Sequence, residues 1–390
     1  MRAVVSGNTG FVLVAYAFLV TMIGTTLPTP LYPLFEERYS FGELTVTVVF
    51  AVYAFGVIAG LLVFGNLSDE IGRKPVLLLG LAFSALSALL FLFAGSLAPI
   101  YAGRVVSGFS AGIFTGTATA MLVDLAPGGR RRMASFVAVV VNLGGLGLGT
   151  LLAGLIADHA RSPLRTPFVV DLVLLVPAVI GMFVTPETVE RKAFRFRLQR
   201  LRVPAEVRTV FIRGATAGFG SFAVAGVFSS VAPVFLATIL GRTSHALAGG
   251  LVFILFSASI VGQLLVSRLS DRRALISGCA LLVGGAGLLA LALGIESLAA
   301  LIASALVAGL GQGLVLGAAL AAINQRAPVE HRAETASSFF VVMYVGLSVP
   351  VIGVGVAADV WSLRGAGIAF SFAVAALVLT VLASLARSDE

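Results

Sequence analysis

Twelve continuous apolar runs, each about as long as a bilayer-crossing helix, decide what this chain of 390 residues can fold into. They predict spans at about Phe11–Leu34, Leu44–Phe64, Val76–Ala94, Ile100–Leu122, Ser135–Ile156, Pro167–Thr185, Val210–Leu236, Leu247–Ser267, Ala274–Gly294, Leu298–Ala319, Ser337–Ala357 and Gly365–Ala386. A helix needs about 20 apolar residues to cross the hydrocarbon core. A membrane barrel would instead alternate polar and apolar residues in strands of about ten. Backbone groups in lipid must bond to each other, which makes uninterrupted apolar runs helices. The expectation is an all-α, multi-pass membrane protein. Only 11% of the residues are charged, so each charge cluster marks a surface or a function.

Loop charge orients the chain. With both termini placed in the cytoplasm, 20 of the 26 Lys and Arg residues fall on cytoplasmic segments and five outside, while Arg104 lies inside a span. That imbalance follows the positive-inside rule and supports an even number of spans. The polar stretch 186–208 is read as a basic cytoplasmic linker at the headgroups, between six-span bundles at 1–185 and 209–390. The net charge of +8 therefore reports orientation rather than nucleic-acid binding. A single cysteine, Cys279, and three scattered histidines offer no disulfide framework and no metal site. Neither a phosphate-binding Gly-x4-Gly-Lys-Ser/Thr loop nor a nucleophile–base pairing appears, so neither an ATP-driven pump nor an enzyme is expected, and no cofactor.

The two halves repeat. Leu67-Ser68-Asp69 returns as Leu269-Ser270-Asp271, Ala126-Pro127 as Ala327-Pro328, Gly145 as Gly346, Gly154 as Gly355 and Ala157-Asp158 as Ala358-Asp359. The offset is 202 for the first pair and 201 for the rest. Two parallel six-span units follow, related by a pseudo-two-fold axis along the membrane normal.

The polar hinge after the second span reads Gly65-Asn66-Leu67-Ser68-Asp69-Glu70-Ile71-Gly72-Arg73-Lys74. It resembles the signature of the major facilitator superfamily, and with the repeat the likeness covers nearly the whole chain. Glu70 stands where a basic residue is commoner. The resemblance implies twelve transmembrane helices in two six-helix pseudo-repeats and transport by alternating access. It makes Gly65, Asp69, Gly72, Arg73, Lys74 and Asp124, with the repeated Asp271, a cytoplasmic gate. Asp69 would complement the N-terminus of the eleventh span, and Arg73 would bridge Asp69 to Asp124.

Further motifs refine the resemblance. Arg104 to Gly112, RVVSGFSAG, is similar to the arginine-and-glycine motif of the fourth span. An arginine there costs about 2.5–3.5 kcal/mol even on the mildest scale and needs a cavity, a partner or a reach to the surface. In relatives it takes part in proton coupling. Ile23-Gly24 followed by Pro30-Leu31-Tyr32-Pro33 resembles the twelve-span drug/proton antiporters. The fifth span has the antiporter glycines Gly145, Gly149 and Gly154, but Thr150 replaces the expected proline, and Pro350 sits at the related place in the eleventh.

These readings imply a secondary transporter that exports small hydrophobic or amphipathic compounds by proton antiport, acting as a monomer in the cell membrane. Uptake or facilitated diffusion of a polar metabolite such as a sugar is the alternative. Arg104 and Asp171, the one carboxylate well inside a predicted span, are the coupling candidates. The substrate pocket expected from the resemblance draws on Tyr16, Met22, Thr25, Phe114, Thr117, Asn142, Phe219, Phe222, Phe228 and Gln312.

Overall fold

The computed structural model describes residues 5–190 and 198–387, so residues 191–197 of the basic linker and both chain ends lie outside the described residues. Among the described residues there is no strand. Twelve helices among these residues are long and apolar enough to cross a membrane. They are α1 Gly7–Tyr39, α2 Glu43–Phe64, α3 Arg73–Leu92, α4 Leu97–Asp124, α5 Arg131–His159 and α6 Thr166–Val184. Then follow α7 Ala205–Ser230, α8 His245–Val266, α9 Asp271–Ile295, α10 Leu298–Arg326, α11 Val329–Val360 and α12 Leu363–Ala386. Several run past the apolar stretch that predicts them. α10 continues seven residues beyond Ala319 to Arg326, and α11 starts at Val329 rather than Ser337. Hydropathy marks the part in lipid, whereas the hydrogen-bond ladder continues into the headgroups and water.

α1 and α4 are interrupted along their length. Pro28 and Pro30 remove amide donors from α1, which passes from regular helix (Gly7–Thr26) through a 3₁₀ turn (Thr29–Leu31) to a short helix, Tyr32–Tyr39. α4 contains one π turn, Phe114–Ala118.

By contacts the chain divides into two units, Met1–Leu31 with Val52–Arg200, and Tyr32–Ala51 with Leu201–Glu390. A cut in the linker alone does not describe this division, because the stretch from Tyr32 to Ala51 groups with the later residues.

In the first unit α1 packs on α5 and α6, and α3 on α4 and α6. α2 and α4 touch backbone to backbone through paired glycines. A Cβ added to Gly112 would lie 2.7 Å from the Val57 carbonyl oxygen, and one on Gly60 3.1 Å from that of Phe109. Small residues four apart allow such approach in a membrane, where dispersion and not hydrophobicity holds helices together. Phe91 of α3 and Phe168 of α6 stack with centroids 4.9 Å apart.

The second unit is built similarly. α9 and α8 pack on α10, and α7 on α11. Gly262 of α8 meets the backbone of α10 at Gly313, and Gly346 of α11 meets that of α7 at Phe219. Serines at Ser244, Ser270, Ser297 and Ser362 cap α8, α9, α10 and α12 by accepting from backbone amides. At the other end of the helices, Gly355 of α11 packs against Thr47, and the helix Tyr32–Tyr39 against Ala232–Thr238. An apolar cleft lies among Val227, Phe228, Leu289, Leu293, Leu301 and Gly367.

Candidate functional site

The polar hinge is a junction of three helix ends in the first unit. Leu67–Ile71 form one helical turn, and Gly72 then reverses the chain with φ +105°, a backbone region that a side chain disfavours. α3 therefore begins at Arg73 with its amides exposed. Glu187, three residues past the end of α6, accepts from the Arg73 amide at 2.9 Å and the Lys74 amide at 3.1 Å. Its carboxylate occupies the space a Cβ at position 72 would need. In return the Lys74 ammonium donates to the Phe183 and Thr185 carbonyls at 2.6 and 2.9 Å, at the C-terminus of α6. Each charge thus sits at the helix end whose dipole it complements. Sequence reasoning placed Glu187 in the linker and missed it, because a helix-capping acid is normally sought next to the helix it caps.

Arg73 lies between two acids. Its Nε is 2.7 Å from Asp124 Oδ2, a close ion pair rather than an aligned hydrogen bond, and a terminal nitrogen is 3.7 Å from Asp69 Oδ1. The geometry brings together the three residues of the expected latch. The Asp69 side chain is 67% exposed, so solvent screens its share of the interaction. Gly65 is covered by the Gln199 side chain. Asp271 starts α9 and makes no ion pair among the described residues; its neighbour Ser270 is the cap.

A second cluster is buried deep in the same unit. Arg104 is only 2% exposed. It does not reach for the surface, the third of the fates open to it in the sequence. One guanidinium nitrogen donates to the Thr25 carbonyl at 2.8 Å, and the group lies over the Tyr53 ring, 4.6 Å from its centroid. Asp171 is also 2% exposed. Its carboxyl packs on Gly24 so closely that a Cβ there would be 2.8 Å from Oδ2. Oδ1 has no hydrogen-bond partner among the described residues. Arg104 and Asp171 therefore address consecutive residues of α1, just before its proline break. Gly24, legible only as part of a motif, is what admits the carboxylate. Tyr53 gave no signal at all, being one of six tyrosines in a chain rich in aromatics.

The ten pocket candidates are distributed as follows. In the first unit Tyr16 donates to the Leu174 carbonyl at 3.0 Å, Met22 is buried under Gly145, and Phe114 is buried against Gly80. Thr25 and Thr117 are buried, and Asn142 is half-buried. In the second unit Phe219 is half-buried, Phe222 packs edge-on to Tyr344, Phe228 lines the apolar cleft, and Gln312 is buried with no partner for Oε1 among the described residues. In the fifth span Thr150 donates to the Gly147 carbonyl at 2.7 Å, while Gly145 and Gly149 bring α5 onto α1. The packing expected of that motif forms without the proline. Among the described residues no group of three or more metal-ligating side chains occurs.

The profile of the Major Facilitator Superfamily matches residues 14–351 and 216–389. A class H tetracycline resistance protein of Pasteurella multocida is 31% identical over 191 residues, covering 48% of this chain and 46% of its own length. The multidrug efflux protein YfmO of Bacillus subtilis is 29% identical over 201 residues, 51% of this chain and 46% of its own. The chain thus matches about half the length of these relatives. Among solved structures, the human organic anion transporter MFSD10 superposes with a TM-score of 0.69 at 19% identity, over 97% of this chain and 99% of its own. A bacterial homolog of the human lysosomal transporter Spinster, inward-facing and unoccupied, gives 0.66 at 14% identity, over 98% and 95%. At those identities the structures speak for the fold alone. Twelve apolar helices, the internal repeat and the family profile agree: this chain belongs to the Major Facilitator Superfamily and is a multi-pass membrane protein.

Proposed function

We propose that the protein is a secondary active exporter of small hydrophobic or amphipathic compounds, driven by proton antiport, in the cell membrane with both termini in the cytoplasm. The observation that carries this reading is the buried pair on one turn of α1, Asp171 on Gly24 and Arg104 on the Thr25 carbonyl. A titratable acid and a permanent cation are the minimum equipment for moving a proton. An ionisable residue inside a membrane is costly and marks an ion or substrate pathway. The printed names of the relatives, a tetracycline resistance protein and a multidrug efflux protein, support the direction and the substrate class. The Arg73, Asp69 and Asp124 contacts support a cytoplasmic latch that forms and breaks during the cycle.

Proteoliposomes with an imposed pH gradient test the reading. A lipophilic cation panel should move uphill against the proton flow, and a protonophore should stop it. Movement of a sugar panel in place of the cations would replace export of amphipaths by the uptake alternative. Uphill cation movement in Asp171→Asn at the wild-type rate would remove Asp171 from the coupling.

A further inference from the structure

α6 carries Pro177 in its interior, seven residues before its end at Val184. Proline has no amide, so the Val173 carbonyl four residues earlier loses its donor and the ladder is weakest over that turn. The next carbonyl along, that of Leu174, is met from another helix: the Tyr16 hydroxyl of α1 donates to it at 3.0 Å. Asp171 stands six residues before Pro177, about 9 Å along the helix. Its seat leaves no slack. A Cβ on Gly24 would lie 2.8 Å from one carboxyl oxygen and 3.1 Å from the other. Past the proline, α6 is fixed to α1 separately: Leu13 fills the space at Gly181, and Gly10 packs on Thr185. Before it, Phe168 stacks on Phe91. Tyr16 is the tie at the weak turn between these two parts.

The second half provides the contrast. Its first and sixth spans are α7 and α12. α7 has no tyrosine, and α12 has neither a proline nor an acid. Tyrosine, proline and acid occur together in one half and are absent together from the other. Neighbouring helices commonly re-satisfy backbone that a proline frees inside a membrane. Here the turn so steadied, Asp171 to Leu174, carries the acid. We propose that Tyr16 is a positioning residue for Asp171: by bridging the ladder at Pro177 it fixes the height and tilt at which α6 presents the carboxyl to Gly24. The proposal rests on Asp171 as the proton carrier, and it gives Tyr16 a task other than lining the substrate pocket.

Carbodiimide labelling tests it without a substrate. Dicyclohexylcarbodiimide enters membranes and adds to carboxyl groups that are protonated and shielded from water. The full-length protein is labelled in proteoliposomes and the Asp171 peptide is quantified by mass spectrometry, with Asp171→Asn as the blank. Tyr16→Phe keeps the ring and removes the hydroxyl. It should slow labelling of Asp171 about three- to tenfold at neutral pH, the worth of one hydrogen bond, because the loosened acid meets water. The two rates should converge by about pH 4, where even a wetted aspartate takes up its proton. Ser87→Ala removes a bond of the same kind, from a hydroxyl of α3 to the Gly103 carbonyl of α4, and should leave Asp171 labelling within about twofold. Pro177→Ala returns the amide to the ladder, and Tyr16→Phe added to it should change the rate by less than about twofold. An unchanged rate in Tyr16→Phe, an equal fall in Ser87→Ala, a fall that persists at low pH, or an undiminished effect beside Pro177→Ala would each overturn the proposal. So would a wild type whose Asp171 takes no label, since that acid would not be held dry. If lipophilic cations do not move in the wild type, the export reading falls, and the labelling still decides the task of Tyr16.

Discussion

The two halves use the same helix packing to hold different interiors. In the first half α2 and α4 close on each other through Gly60 and Gly112; in the second, α8 and α10 do so through Gly262 and Gly313, at the repeat offsets. Yet Tyr53 and Arg104 correspond to Leu255 and Ala305, and α12 carries no acid where α6 has Asp171. The second half is thus a natural control: this packing does not need the buried charges. The helix starts differ too. α9 begins at Asp271 with its own Ser270 as cap, whereas α3 begins four residues later in register, at Arg73, and borrows Glu187 from beyond α6. The apolar half is capped locally, and the charged half is tied together from a distance.

The largest expected effect tests the control directly. Arg104→Leu, which approximates the second half, should lower gradient-driven transport about 100-fold, the order of effect of disabling a proton-transfer site by removing the fixed charge beside its acid, with little change in thermal stability. A protein that no longer folds would make Arg104 structural and break the comparison. Gly112→Val and Gly313→Val should each cost about 1–3 kcal/mol by overpacking, read as matching losses of melting temperature. Unequal losses would show that the halves do not share one packing scheme. Glu187→Gln gives up charge-assisted bonds to two amides and should cost about 1–2 kcal/mol, against about 1 kcal/mol for Ser270→Ala, in chemical unfolding of the purified protein. The order of the two reports how much more the borrowed cap holds. The smallest effect concerns packing at a site where the first half has stacked Phe91 and Phe168 and the second has a cleft beside Leu293 and Gly367. Leu293→Phe should fill that cleft and add about 0.5–1 kcal/mol, seen as a small rise in melting temperature.

The spans and the repeat were legible because lipid imposes one rule on every helix and because two copies check each other. Arg104 and Asp171 stood out since charge inside an apolar run is rare. Helix ends were less legible: Arg326 and Val329 belong to helices that hydropathy stops short of. Tyr53 and Glu187 were invisible for a common reason. Each acts on a residue far away in sequence, and nothing local distinguishes a tyrosine under a guanidinium from one in a wall. The π turn was invisible as well, since its sequence, Phe-Thr-Gly-Thr-Ala, fits a regular helix equally well.

The distance between Glu187 and the amides it serves also has a consequence in time. The ribosome makes Arg73 and Lys74 114 and 113 residues before the acid that completes their helix start. At about 5–20 residues per second, α3 waits roughly 6–20 s with an open N-terminus. The start of α3 can therefore be completed only after all six helices of the first half have been made.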